Sequence, residues 1–199
     1  MQTYKWTLVA LCSLPITIYC SFVTHEIGHA VTAYMFGMDN LLIYLWPGFE
    51  VFFTWDNNNF MPNVALNFGD SPYFQVGATG YTPSDIPNFT NLNKSIIAIM
   101  GSGFNYLISI VALLCVYKFK PTGFLFILGV CLSLFFYDLL LYSVLPTIFN
   151  LSHLFFLGSE ISEPIEALVE FGIHQNYSIG LVIALSTIQI VYLYRLKYI

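Results

Sequence analysis

Apolar runs long enough to cross a bilayer dominate the chain, and two polar, turn-rich stretches interrupt them. One crossing takes about 20 predominantly apolar residues as a helix, and residues 6–36, 95–117, 122–145 and 178–194 meet or approach that length. The first run is longer than one crossing requires, so it predicts a helix kinked at Pro15 or tilted, with Gly37 as its stop signal. Residues 38–94 form a long loop. Within it, aromatic and β-branched runs at residues 41–46 and 49–55 flank Pro47-Gly48, which predicts a β-hairpin or strand pair lying against the membrane surface. A second loop, residues 146–177, carries Glu160, Glu163, Glu166 and Glu170 and an amphipathic helical piece over residues 163–171. The expected fold is an all-α integral membrane bundle of about four spans with a small strand segment after the first, forming a single membrane-embedded domain over residues 1–199.

Composition agrees with a lipid environment. Hydrophobic residues make up 57% of the chain and charged residues only 9%, against roughly a quarter charged in a soluble domain. The net charge of -5 comes from scattered acids and offers no basic footprint, which argues against a nucleic-acid partner. Cys12, Cys20, Cys115 and Cys131 lie in apolar stretches without C-x-x-C pairing, so buried reduced thiols are expected. Basic residues set the orientation, because short cytoplasmic loops are enriched in Lys and Arg. Lys5, Lys118, Lys120, Arg195 and Lys197 fall on one side of a four-span bundle, and both long loops fall on the other. The expectation is a multi-pass protein with both termini in the cytoplasm.

The first apolar run contains His25-Glu26-Ile27-Gly28-His29. Residues four apart share a helix face, so His25 and His29 can each turn an imidazole toward one ion, with Glu26 beside them. That is the arrangement of a zinc hydrolase, in which the glutamate serves as general base toward water. An ionisable residue within a span costs roughly 2.5–3.5 kcal/mol on insertion scales, so three in one turn call for a return such as a metal.

Two histidines leave a zinc site open, and the third donor must come from elsewhere. Asp138 is the only acid inside the other three apolar runs. Counted at 1.5 Å per residue, it lies about 24 Å from Thr122, while the histidines lie about 29–35 Å from Trp6, so all three belong to the outer half of the bilayer. Glu160, Glu163 and His153 are rival donors from the second loop, and His174 is expected to play no part.

These residues resemble the site-2 protease family of intramembrane zinc metalloproteases. His25-Glu26-Ile27-Gly28-His29-Ala30 is similar to the family's first signature, and Gly101-Ser102-Gly103-Phe104-Asn105 to its Gly-Pro-x-x-Asn stretch, with Ser102 where Pro is usual. The resemblance implies one Zn2+ per chain, a membrane protein as substrate, and a role for Asn105 in positioning substrate or supporting the oxyanion. It departs at Asp138, because the family's third ligand sits in an Asp-Gly pair and Leu139 follows here. Gly158-Ser159-Glu160-Ile161-Ser162-Glu163 is similar to an acidic segment of divergent members and keeps Glu163 as a rival ligand. The competing readings are a client-binding scaffold without catalysis and a proton-coupled transporter.

Overall fold

A computed structural model describes residues 2–38, 40–45, 49–56, 59–66, 79–80, 89–149 and 162–196. The turns at Pro47-Gly48 and after Asp56, and the candidate donors His153 and Glu160, lie outside them. Helix α1 runs unbroken over Gln2–Met35, with Pro15 inside it. It ends where predicted. Gly37 takes a positive φ of 91°, its N–H donates to the Tyr34 carbonyl, and the N–H of Met38 reaches back to Ala33, an αL stop that satisfies the last carbonyls.

The chain then enters strands β1 (Asn40–Leu45), β2 (Phe49–Asp56), β3 (Asn59–Leu66) and β4 (Thr79–Gly80), which make one sheet in the order β3-β2-β1-β4. The β1–β2 and β2–β3 pairs are antiparallel, with Ile43 opposite Val51 and Val51 opposite Val64. Ile43 ties the sheet to the helices through a buried cluster with Ala30, Ala33, Met38 and Ile97.

Helix α2 (Asn91–Phe119) begins at a Thr90 cap and presents a face of small and polar residues, Ser95, Gly101, Ser102, Asn105, Ser109 and Ala112, to the bundle interior. Small residues allow close approach of backbones, which is how helices associate in lipid. A Cβ at Gly28 of α1 would collide with the Met100 carbonyl and Phe104 of α2, so the two helices cross in near contact there.

The run expected as one span over residues 122–145 is two helices, α3 (Phe124–Ser133) and α4 (Phe136–Phe149). At the break Leu134, Phe135 and Tyr137 donate to the carbonyls three residues back, and the Ser133 hydroxyl bonds the Gly129 carbonyl at 2.6 Å. The tightened turn re-aims the start of α4, which carries Asp138 inward. Helix α5 (Glu163–Glu170) buries Pro164, Ile165 and Ala167, and α6 (Gln175–Arg195) closes the bundle. Three segments among the described residues are long and apolar enough to cross a membrane: α2, Phe124–Ile148 across the break, and α6.

Two polar side chains inside the bundle link three of its helices. Gln189 of α6 donates to Ser109 of α2 at 2.6 Å, and Ser109 donates to the Ser133 carbonyl at 2.8 Å. The cysteines whose side chains are described differ from expectation, and the Cys12 side chain lies outside the description. Cys20 and Cys115 are free thiols on the exterior and Cys131 is half-buried, which follows from an apolar surround in which a weakly polar thiol has little reason to turn inward.

Candidate metal centre

His25 and His29 lie on the inward face of α1, 3% and 8% exposed, with Glu26 between them at 4%. Each ring is pinned at one nitrogen. His25 Nδ1 lies 2.7 Å from Asp138 Oδ2, and His29 Nδ1 lies 2.7 Å from the Ile97 carbonyl of α2. A carbonyl only accepts, and an ionised carboxylate only accepts, so both Nδ1 atoms carry the proton. In the neutral tautomers this leaves both Nε2 atoms bare. The two bare nitrogens point at one another, 3.0 Å apart.

A carboxylate completes the group. Glu163 Oε2 sits 3.4 Å from His29 Nε2 and 3.8 Å from His25 Nε2, and it is buried with no hydrogen-bond donor. Three acceptor atoms converging without a proton among them repel unless a cation lies between. Donors about 2.1 Å from a tetrahedral divalent ion stand roughly 3.3–3.5 Å from each other, and the separations of 3.0, 3.4 and 3.8 Å bracket that value. These residues fit such an ion. Among the described residues, His25, His29 and Glu163 form a group whose ligand atoms all lie within 4.8 Å of one another.

Asp138, first choice as third donor on sequence grounds, stands apart from this group. Its Oδ2 faces the Nδ1 atom of His25, on the opposite side of the ring from the meeting point, and also accepts from Asn105 Nδ2 at 2.9 Å. The re-aimed start of α4 brings it level with the histidines but behind them. Asn105 also differs from expectation. It is fully buried, its amide donates to the Ser21 carbonyl at 2.8 Å as well as to Asp138, and its carbonyl accepts from Thr24. Nothing of Asn105 faces open space where a substrate carbonyl would lie. His174 caps α6 instead, its Nδ1 accepting from Asn176 N.

Two neighbours of the pair carry no role on sequence grounds: Gly101, which enters only within a motif, and Tyr142, which is not singled out. Gly101 is the wall of α2 against which both rings rest, since a Cβ there would overlap His25 and His29. Tyr142 packs its ring on His25, with centroids 4.7 Å apart at 30°, and is 7% exposed. Its position was available from spacing, because Tyr142 follows Asp138 by one helical turn and shares its face.

The family model of Peptidase family M50 matches residues 13–194. The chain belongs to peptidase family M50. The match runs from Ser13 in α1 to Tyr194 in the last turn of α6, so the family's extent includes both halves of the metal group. Peptidase family M50 is a family of metallopeptidases, in keeping with apolar helices that enclose a candidate metal group. No curated relative and no solved structure matches the chain.

Proposed function

We propose that this family member is a zinc metalloendopeptidase that hydrolyses a peptide bond in or near a membrane-spanning segment of a client protein. The observation that carries the reading is the convergence of three buried acceptors, His25 Nε2, His29 Nε2 and Glu163 Oε2, beside Glu26 and within an apolar bundle. Two imidazoles with one carboxylate are a donor set that suits zinc and leaves a fourth position open. Zinc held there supplies a Lewis acid that acidifies water and polarises a carbonyl. Glu26 is then the general base, taking a proton from the attacking water and passing it to the departing amide nitrogen. Glu163, the sequence's rival donor, is the third ligand in this reading, and Asp138 leaves the ligand set.

A client helix hides its carbonyls in internal hydrogen bonds, so the scissile segment must be extended at the site. The sheet that follows α1 is the element that such a segment would meet. Helix α1 is the fourth span: its 34 residues cover about 51 Å at 1.5 Å each, more than the hydrocarbon core. With four spans the chain is one membrane-embedded domain with both termini on the cytoplasmic side.

The test uses full-length protein purified in detergent and reconstituted with a single-span substrate that carries a helix-destabilising Gly-Pro pair near one membrane surface. One zinc per chain is expected, with cleavage that is lost in Glu26→Gln while the zinc stays. Zinc should be lost in His29→Ala and Glu163→Ala. A metal-free active preparation, or undiminished cleavage by Glu26→Gln, refutes the reading. Client capture without cleavage by the zinc-free protein would identify a scaffold instead.

A further inference from the structure

We infer that Asp138 and Asn105 form a positioning clamp that fixes the ring of His25 for metal binding, an inference that rests on the metal-centre reading above. The clamp is built of consecutive, directional contacts. Asp138 is 1% exposed, and its Oδ2 receives two donors, His25 Nδ1 at 2.7 Å and Asn105 Nδ2 at 2.9 Å. Asn105 in turn is held from α1: its second amide proton reaches the Ser21 carbonyl at 2.8 Å, with Ser21 Oγ at 3.1 Å, and Thr24 donates to its oxygen. The partners fix which way the amide faces, because a carboxylate and a carbonyl can only accept. Every proton on Asn105 Nδ2 is therefore spoken for.

The result joins three helices at one atom. Ser21, Thr24 and His25 belong to α1, Asn105 to α2 and Asp138 to α4, and Asp138 Oδ2 is where the contacts from α1 and α2 meet. A ligating histidine whose far N–H meets a carboxylate is locked in tautomer and ring direction and made a stronger donor. His29 lacks that charge, since its far nitrogen meets the neutral Ile97 carbonyl. The two ligands on one helix turn are thus unequal, and His25 is the one under control.

A second physical consideration favours the same assignment. Asp138 Oδ1 is buried without a hydrogen-bond partner, so the carboxylate is held by neutral donors at one oxygen only. A buried carboxylate of this kind needs a cation nearby, and the nearest route to one runs through the His25 ring. None of these Asn105 hydrogen bonds goes to the three converging acceptors. It acts on His25 through Asp138, and is a positioning residue and not a catalytic one.

The experiment strips the full-length detergent-solubilised protein with a chelator and titrates it with Co2+ and Zn2+ against a chromophoric competitor, following the cobalt ligand-field spectrum. Asp138→Asn, which preserves shape, is expected to weaken metal binding about 10–100-fold and to shift the cobalt bands. Asn105→Ala should weaken it in the same direction, and the double variant should be no weaker than Asp138→Asn alone, because both changes act on one ring. Ser109→Ala breaks a buried α2 contact outside the clamp, the donation to the Ser133 carbonyl. It should lower thermal stability while leaving affinity and spectrum at wild-type values. Wild-type affinity and spectrum in Asp138→Asn would overturn the clamp, as would simple addition of the two single effects. A wild-type protein that takes up no metal would remove the metal-centre reading and the clamp with it, whereas normal uptake with indifferent variants removes the clamp alone.

Discussion

Gly101→Ala is the smallest change that tests whether α2 is the wall of the metal group. The added Cβ would lie 2.6 Å from His25 Nε2 and would overlap the His29 ring as well. Non-bonded heavy atoms rest about 3.5–4.0 Å apart, so at least one ring must retreat by roughly 1 Å. Neither can do so freely. His25 is tethered to Asp138 and His29 to the Ile97 carbonyl, each at 2.7 Å, and Ile97 lies one turn before Gly101 on the same helix. Retreat therefore breaks a tether or pushes α2 away from α1, an overpacking that costs about 1–3 kcal/mol. Zinc affinity should fall by at least about 10–100-fold, the effect of displacing a ligand's support. The assay is competitive zinc titration of the purified variant beside Gly103→Ala, whose added Cβ would find only ordinary contacts at 3.5 and 3.7 Å. The control should match wild type. Equal zinc affinity in Gly101→Ala and Gly103→Ala would show that the Nε2 atoms do not rest against α2, and the geometry argued for the site would fall.

Gly28→Ala drives a Cβ into the Met100 carbonyl and Phe104, so it should lower the thermal midpoint by separating α1 from α2, while a wild-type midpoint would contradict the close crossing. Chelation of the metal leaves Glu163 facing two bare nitrogens, and should lower the thermal midpoint and speed proteolysis near α5; identical digestion with and without chelator would count against Glu163 as a ligand. Burial, and then the charges of Glu170 and Glu163, raise the Glu166 carboxyl above the usual range. Its ionised form is thus disfavoured in the folded protein, so its contribution to stability is complete at low pH and declines as pH rises through the folded value. Glu166→Gln should raise the midpoint at neutral pH and leave it unchanged near pH 4, and the reverse pattern would refute the assigned direction. Gln189→Leu removes the donation to Ser109, and loss of stability of about 1 kcal/mol is expected from equilibrium unfolding.

The pair His25 and His29 was legible because a four-residue spacing on a helix dictates a shared face, and nothing in tertiary packing can undo that. The third acceptor was not legible in the same way. Glu163 reaches the pair only through the docking of α5 by Pro164, Ile165 and Ala167, and a residue count along helices carries no information about such docking. Asp138 shows the limit from the other side. Counting residues placed it level with the histidines, and it does lie beside His25, but such a count does not say which nitrogen of a ring a carboxylate meets. The division between α3 and α4 is silent in the hydrophobic pattern, since apolar residues continue through Leu134 and Phe135 and the break depends on backbone bonding around Ser133. Asn105 was noticed by resemblance, and its engagement with Ser21 and Asp138 depends on the α1–α2 crossing that Gly28 permits.

The converging acceptors are contributed by the first helix and the fifth, with most of the chain lying between them. During synthesis the two imidazoles emerge early and wait, since the opposing carboxylate reaches them only after three further helices have been threaded into place. A chain halted before Ser162 would own a pair of mutually repelling nitrogens and nothing to close the triangle. Under the proposed function, competence for hydrolysis would wait on completed topology, and a half-inserted polypeptide would lack the third ligand it needs to cut its neighbours in the bilayer.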